Sequence, residues 1–180
     1  PSTFASQEDI AWIGGEGGNI TMIAKSNRRS NPHFTKAGDR IYLYSGQKGL
    51  VSIRWDGTDE KEHLKVTGIT TYGSELGENV NHCMMVESAT EPQKTPSNAA
   101  LVLMAPEGDQ ALAKINNELY VVTVPVTGGE VPKISVAEAD KAQFPARKLT
   151  KLGGEFPTWS SNAKTVYFSL GNAFFTYNID

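Results

Sequence analysis

The sequence has a single cysteine, Cys83, among its 180 residues and lacks any long run of apolar side chains. One cysteine excludes an intramolecular disulfide framework and a thiolate-rich metal site. No segment approaches the roughly 20 consecutive apolar residues that a membrane-spanning helix needs. Basic residues are not in excess, since the chain has 17 Lys and Arg against 20 Asp and Glu. Because a nucleic-acid-binding domain usually shows such an excess, we expect neither a membrane span nor a nucleic-acid partner.

The motifs of common catalytic and metal sites are also missing. The three histidines, His33, His63 and His82, form no His-x-His pair, and no Gly-x-Ser-x-Gly nucleophile motif occurs. His82 and Cys83 are adjacent potential zinc ligands, but no Cys-x-x-Cys or His-x-x-x-His companion supplies the remaining ligands of a zinc site. We therefore assign no catalytic, cofactor-binding or metal-binding residue, and we expect no cofactor.

Two loop motifs superficially resemble ligand sites. The glycine cluster at 14–18 lacks the spacing of a phosphate-binding loop, and no helix follows it. The acidic segment 56–60 resembles a calcium loop, but Thr67 stands where the twelfth-position acid belongs. Both segments are predicted to be hairpin turns, because Gly and Asp-Gly favour the positive φ that such turns require.

The only basic run covers residues 25–31, and Lys36, Arg40, Lys48 and Arg54 follow it closely. Such a cluster can form a cationic face that attracts an acidic partner. A solvated loop is the alternative, and we favour it.

Short strand-like segments dominate the chain and are rich in β-branched and aromatic residues, with Gly, Asn, Asp or Pro at most of their ends. They cover residues 20–24, 41–44, 50–55, 100–104, 119–124 and 166–168. One short helix is predicted, since Ser135 and Glu138 have the spacing of a capping box and Pro145 would end the helix. The predicted fold class is all-β.

A repeated pattern connects distant parts of the chain. Residues 32–43 align with 157–168 without a gap, and a weaker third copy lies between them. In each copy a strand enters a tight hairpin at a small residue and leaves as a second, buried strand. The aligned positions are Pro32 and Pro157, Phe34 and Trp159, and Gly38 and Ala163, with Met104 and Gly108 in the third copy.

The strand aromatics are predicted to pack between the repeated units, because large apolar side chains on strands usually belong to the core. The aligned pair Phe34 and Trp159 is included. The other members are Trp12, Tyr42, Tyr44, Trp55, Phe168, Phe174 and Phe175.

This pattern, Pro-x-aromatic-Ser/Thr-x-x-Gly-Asp/Lys-x-Ile/Val-Tyr with a following strand that ends near Asp-Gly, resembles the TolB-type β-propeller repeat. Phrases such as HFTKAGDRIYLYS, LVSIRWDGTD and LGGEFPTWSSNAKTVYFSLGNAFFTYNID are similar to the propeller region of large bacterial amidohydrolase-related proteins, and the similarity covers most of residues 10–180. The resemblance implies β-propeller-type, four-stranded antiparallel blades.

The repeat spacing divides the chain into about three units, 10–68, 97–134 and 147–180, with loop-rich insertions at 69–96 and 135–146. Closed propellers usually have four to eight blades, so we expect an incomplete ring. The chain is then either a piece of a longer propeller or associates with other copies through its open blade edges.

The resemblance also implies a function. The chain is expected to be a non-catalytic segment that serves as a protein-interaction or scaffold surface, with loops 26–33, 69–98 and 135–147 as candidate contacts. The alternative is the N-terminal propeller part of a larger hydrolase, an amidohydrolase or a propeller-gated peptidase, whose active site lies outside this chain. The expected partner is a protein or a contiguous catalytic domain. The expected location is periplasmic or secreted, although the low cysteine content is equally compatible with the cytoplasm.

Overall fold

A computed structural model describes residues 9–72 and 93–179 of the chain. Within these ranges the backbone forms strands and one 3₁₀ turn, at Ala139–Lys141. The predicted all-β class is confirmed. The strands are β1 (Asp9–Trp12), β2 (Thr21–Lys25), β3 (Arg29–His33), β4 (Arg40–Ser45), β5 (Gly49–Arg54), β6 (Lys61–Tyr72), β7 (Gln93–Asn98), β8 (Leu101–Met104), β9 (Gln110–Ile115), β10 (Glu118–Thr123), β11 (Lys133–Ser135), β12 (Ala146–Lys148), β13 (Glu155–Trp159), β14 (Thr165–Leu170) and β15 (Ala173–Asn178).

The strands form an N-terminal hairpin and three larger sheets. Strands β1 and β2 form the hairpin; β3, β4, β5 and β6 form the first sheet, with β7 antiparallel and β11 parallel to β6. The second sheet has the order β12-β10-β9-β8, and the third has β13-β14-β15. Among the described residues no closed ring forms, as expected for small propeller-type antiparallel sheets in an incomplete ring.

The small residues of the repeat lie at equivalent turns. Gly38, Gly108 and Ala163 all have positive φ, at 64°, 81° and 57°. In two of the copies the amide of the small residue closes the turn by donating to the residue three positions earlier, Gly38 to Thr35 (3.1 Å) and Ala163 to Ser160 (3.0 Å). Since positive φ disfavours a large side chain, the predicted tight hairpins at these positions are confirmed.

The likeness of the second and third sheets extends beyond this turn. Gly108 and Ala163 are 55 residues apart, and so are Asn116 and Gly171, which occupy the next hairpin turn with φ of 54° and 56°. The backbone bond from the Val124 amide to the Asp109 carbonyl (2.6 Å) is repeated from Ile179 to Lys164 (2.8 Å). Residues 104–124 and 159–179 therefore have the same backbone plan.

Apolar clusters fill the spaces between neighbouring sheets, because each sheet buries one row of alternate side chains on each covered face. The hairpin covers Ile41, Leu43, Val51 and Ile53 of the first sheet. The largest cluster lies between the first and second sheets; its members include Tyr44, Leu64, Val102, Ile115 and Val122. Leu112, Leu119 and Val121 of the second sheet pack against Val166 and Phe168 of the third.

The predicted helix is wrong. Ser135 is the last residue of β11 rather than a helix cap, and the only helical turn nearby spans Ala139–Lys141. Strand β11 pairs in parallel with β6, and this pairing buries Ile134 and Val136 on one side. Burial of alternate residues in a sheet outweighs the weak local preference of a capping box.

Strands also occupy both described ends of the segment 69–96, which the sequence indicates to be loop-rich. Strand β6 runs on to Tyr72, and β7 pairs with it through a register that places Pro96 opposite Ile69. Since β7 pairs with β6 alone among the described strands, a proline is tolerated there as on other edge strands. The division of the chain into three repeat units remains a prediction.

Candidate functional site

Five of the nine strand aromatics do not pack between sheets as predicted. Tyr44 and Phe168 are buried in the inter-sheet clusters, and Trp159 is half-buried against the second sheet, where its indole Nε1 donates to the Leu103 carbonyl (3.2 Å). The expectation is wrong for a second group, in which each side chain is at least 41% exposed. These residues are Trp12, Phe34, Trp55, Phe174 and Phe175.

Three of the exposed aromatics line one concave site, which we call the aromatic groove. It lies between the hairpin and the first sheet and has a volume of about 430 Å³. Its apolar walls consist of Ile10, Trp12 and Ile23 from the hairpin and Pro32, Phe34, Ile41, Leu43 and Trp55 from the first sheet. Of these apolar residues, only Pro32 lies in a segment named from the sequence as a candidate contact, 26–33. The others could not be assigned to a site, because the groove depends on how the hairpin packs on the sheet.

The Phe34 and Trp55 rings form a fixed platform in this groove. Their centroids are 5.3 Å apart and their planes differ by 4°, an offset-stacked arrangement that aromatic pairs favour. The Trp55 indole Nε1 donates to the carbonyl of Gly38 at 2.8 Å. The repeat turn at Gly38 therefore holds Trp55, and Trp55 in turn orients Phe34.

Charged groups at the margin of the groove are paired within the molecule. The Arg29 side chain is only 6% exposed, and its guanidinium donates to Glu60 at 2.6 Å and to the Ser26 carbonyl at 2.9 Å. Hydrogen bonding from Lys48, with Lys48 and Arg29 as nearby positive charges, lowers the pKa of Glu60 below its usual range. Asp9 accepts from Lys25 at 2.9 Å. The groove thus presents aromatic and aliphatic surface with compensated charges at its edge.

The basic side chains around residues 25–54 do not form an unpaired cationic face. Asn27 and Arg28 lie in the turn between β2 and β3 with positive φ. The surrounding cations are in ion pairs, and the pairs are Lys25 with Asp9, Lys36 with Glu107, Arg40 with Asp59, Lys48 with Glu60, and Arg54 with Asp59. The ion pairs argue against an acidic-partner site. The predicted loop is confirmed only for residues 26–28 and is wrong for the rest of 26–33, because Arg29–His33 is strand β3, with Arg29 buried.

The two loop motifs are turns, as predicted. The amide of Gly17 donates to the Gly14 carbonyl (2.8 Å) within the loop that joins β1 to β2. The Asp56 carboxylate accepts from both the amide (2.9 Å) and the hydroxyl (2.6 Å) of Thr58. This local bonding is the ordinary role of Asp in a turn.

Two of the three histidines lie on either side of Tyr42, and His82 and Cys83 fall outside the described residues. His33 and His63 have ring centroids 5.9 Å and 5.2 Å from that of Tyr42. His33 connects the first and second sheets, because its Nε2 accepts from the Met104 amide (2.8 Å) while its Nδ1 lies 2.8 Å from the Asn31 carbonyl. Burial lowers the pKa of His33.

His63 forms a Ser–His pair that sequence reasoning missed. The Ser52 hydroxyl lies 2.7 Å from His63 Nε2, and Arg40 Nε donates to the same hydroxyl oxygen at 2.7 Å. A Ser–His pair is the arrangement of many nucleophilic enzymes, but Ser52 is 0% exposed. A buried nucleophile is out of reach of a substrate, so the pair stabilises the sheet. Burial and the charges of Arg40 and Lys61 lower the pKa of His63.

Comparisons with known proteins do not add an identity to this geometry. No protein-family model, no curated protein and no solved structure matches the chain. In the described ranges, no three His, Cys, Asp or Glu side chains lie together as a metal site would require. No helix in the same ranges is long and apolar enough to cross a membrane. The aromatic groove is the candidate site that the described residues support best.

Proposed function

We propose that this chain is a non-catalytic interaction module of the TolB-like propeller type, and that its aromatic groove binds an extended, apolar segment of a protein partner. The observation that carries the proposal is the half-exposed, stacked pair of Phe34 and Trp55 at the groove. The repeated turns at Gly38, Gly108 and Ala163 support the propeller-type assignment.

The energetics of aromatic recognition favour this use of the groove. A Phe or Trp buries roughly 150–250 Å² on full coverage, and such residues dominate interface energetics. Trp is also enriched among the residues that contribute most to protein–protein binding. Since the Gly38 carbonyl already fixes the Trp55 ring, a ligand need not pay for ordering it.

The charge distribution selects the chemistry of the ligand. Arg29 and Asp9 line the groove, and each is already paired, Arg29 with Glu60 and Asp9 with Lys25. A charged ligand group would lose its hydration there without gaining a free counter-ion. Proline-containing extended segments dock into aromatic-lined grooves because they are already ordered. We therefore expect an uncharged segment with Pro, Leu or aromatic side chains.

A peptide titration tests the proposal. The probes are a blocked peptide of alternating Pro and Leu and a Gly–Ser peptide of equal length, each added to ¹⁵N-labelled protein. We expect the Pro–Leu peptide to shift the indole signals of Trp12 and Trp55 while that of Trp159 stays unchanged. Phe34→Ala and Trp55→Ala should weaken binding about ten-fold, in line with loss of a major contact residue.

Leu152→Ala is the matched control, because Leu152 is 83% exposed and does not line the groove. This variant should bind as the unmodified chain does. The proposal fails if millimolar Pro–Leu peptide leaves the groove signals unchanged, or if the Gly–Ser peptide shifts them equally.

A further inference from the structure

We infer that the protein partner in the groove is a second copy of this chain, which docks head to tail and offers the extended edge strand β15, on the outer face of its third sheet, as the bound segment. The inference rests on the proposed function of the aromatic groove. It derives from the repeat, because the interface between the second and third sheets shows how the face of one repeated sheet is covered by the next.

The second and third sheets provide this internal template. Leu112, Leu119 and Val121 form the face of the second sheet that points toward the third, and each is at most 5% exposed. The third sheet covers them with Val166 and Phe168 of β14 and with Trp159 of β13.

The third sheet carries an equivalent face that no described residue covers in the same way. At the 55-residue repeat spacing, Leu112 corresponds to Tyr167, Leu119 to Phe174 and Val121 to Thr176. Phe174 is 71% exposed and stacks on Tyr167, with centroids 5.8 Å apart. The face that is buried on the second sheet is therefore aromatic and open on the third.

The groove carries the complementary half of the template. Residues 32–43 of the first sheet align without a gap with 157–168 of the third. The alignment therefore gives a first-sheet counterpart for each third-sheet residue that covers the second sheet. Trp159 corresponds to Phe34, Val166 to Ile41 and Phe168 to Leu43. The N-terminal hairpin already covers Ile41 and Leu43, whereas Phe34 stays open in the aromatic groove. A second copy therefore repeats only the Trp159 part of the internal contact, with Tyr167 and Phe174 inserted against Phe34 and Trp55.

The chemistry of the two surfaces matches. The inserted face is uncharged at Tyr167, Phe174 and Thr176, and the groove opposite has compensated charges. A contact between two different surfaces of identical chains is heterologous and closes only if the rotation permits it. Two copies contribute six larger sheets, which lies within the four to eight blades of closed propellers. We therefore expect a closed dimer.

Sedimentation equilibrium from about 1 µM to 1 mM tests the inference. The unmodified chain should convert from monomer to dimer as its concentration rises. Phe174→Ser removes the inserted side chain and Trp55→Ala damages the groove, so each should weaken association about ten-fold or more. Leu152→Ser, on an apolar residue that is 83% exposed and lies outside both surfaces, should associate normally. Circular dichroism of each variant verifies that the fold is retained.

A mixture of the two variants separates head-to-tail docking from other contacts. The Phe174→Ser chain keeps its groove and the Trp55→Ala chain keeps its inserted face, so the mixture should form a 1:1 pair more readily than either variant alone. A chain that stays monomeric to 1 mM overturns the inference, as does association that neither variant weakens. If the monomeric chain still binds the Pro–Leu peptide, the proposed function stands and only the second copy is rejected; if it binds neither, both are rejected.

Discussion

The second and third sheets have the same backbone plan and opposite solvent exposure. Both turn at a small residue with positive φ, Gly108 in one and Ala163 in the other. Leu119 on the second sheet is completely buried, whereas its counterpart Phe174 is 71% exposed. The comparison teaches that the repeat encodes the path of the chain, while a neighbouring sheet decides which positions become core.

The first sheet also shows that equivalent repeat positions differ in solvent exposure. Phe34 and Trp159 occupy one repeat position, yet Phe34 is exposed and Trp159 is half-buried against the second sheet. The N-terminal hairpin covers part of the first sheet and leaves the aromatic groove beside it. Open repeat positions thus become the candidate binding surfaces of the molecule.

The largest expected effect is the difference in the free energy of unfolding between variants at Leu119 and at Phe174. Leu119→Ala should lower the free energy of unfolding by about 3 kcal/mol, since it removes a fully buried side chain and leaves a cavity. Phe174→Ala should change it by less than about 0.5 kcal/mol in the monomer, as for most surface substitutions. Urea denaturation at micromolar protein measures both values. Equal losses in the two variants would show that the two faces do not differ in burial.

A second pair sharpens the comparison at the aromatic repeat position. Trp159→Ala should cost about 3 kcal/mol, because the indole packs against the second sheet and donates to the Leu103 carbonyl. Phe34→Ala should cost about 1 kcal/mol, since its ring contacts mainly the half-exposed Trp55. Thermal unfolding followed by circular dichroism ranks the two. A Trp159→Ala variant of unchanged stability would contradict the repeat register.

Much of this fold is predictable from the sequence. All six strand-like segments form strands, because β-branched runs bounded by turn residues favour strands over other structures. The turns at Gly38 and Ala163 are predictable as well, since positive φ favours glycine and other small residues. The aromatic burial was not predictable, because repeat equivalence says nothing of whether another sheet lies against Phe34 or Phe174.

Other features depend on pairings that one strand alone does not reveal. Strand β7 is polar and contains Pro96, so only its partner β6 makes it a strand. Ser52 and His63 meet because of the pairing between β5 and β6, which has an irregular register. The groove likewise depends on the packing of the hairpin against the first sheet, and no motif in the sequence marks it.

The interface between the first and second sheets should respond to pH. Burial lowers the pKa of both His33 and His63 below the usual value of 6.5. Below pH 6.5 the unfolded chain therefore binds protons before the folded chain does, so the free energy of unfolding should fall as pH drops from 6.5. Well above pH 6.5, where both states have neutral histidines, these two groups should leave it constant.

Urea denaturation at pH 7.5, 6.5 and 5.5 measures this dependence. Protonated His33 would present an N–H to the Met104 amide instead of an acceptor. His33→Leu introduces the residue that the weaker repeat copy has at this position, Leu103. It should therefore reduce the change in the free energy of unfolding between pH 6.5 and 5.5. The paired carboxylates Asp59 and Glu60 also have lowered pKa values, and their effect falls at lower pH. A stability that rises on acidification from pH 6.5 would contradict the assignment.

The smallest expected effect concerns the repeat turns. Ala163 has a φ of 57° and Gly38 one of 64°, a conformation that costs a non-glycine residue about 1 kcal/mol. Ala163→Gly should therefore stabilise the protein by up to about 1 kcal/mol, and Gly38→Ala should destabilise it by a similar amount. Differential scanning calorimetry of the two single variants gives the signs. Two changes of the same sign would refute the equivalence of the turns.

Hydrogen exchange at two protein concentrations tests the central claim most directly, namely that the outer face of the third sheet and the aromatic groove are complementary. On raising the concentration from about 1 µM to 1 mM, we expect slower amide exchange in β14 and β15 and at residues 33, 34 and 55, with no change in β9 and β10. Exchange that is independent of concentration in all of these segments, or protection centred on β9 and β10, would contradict the account.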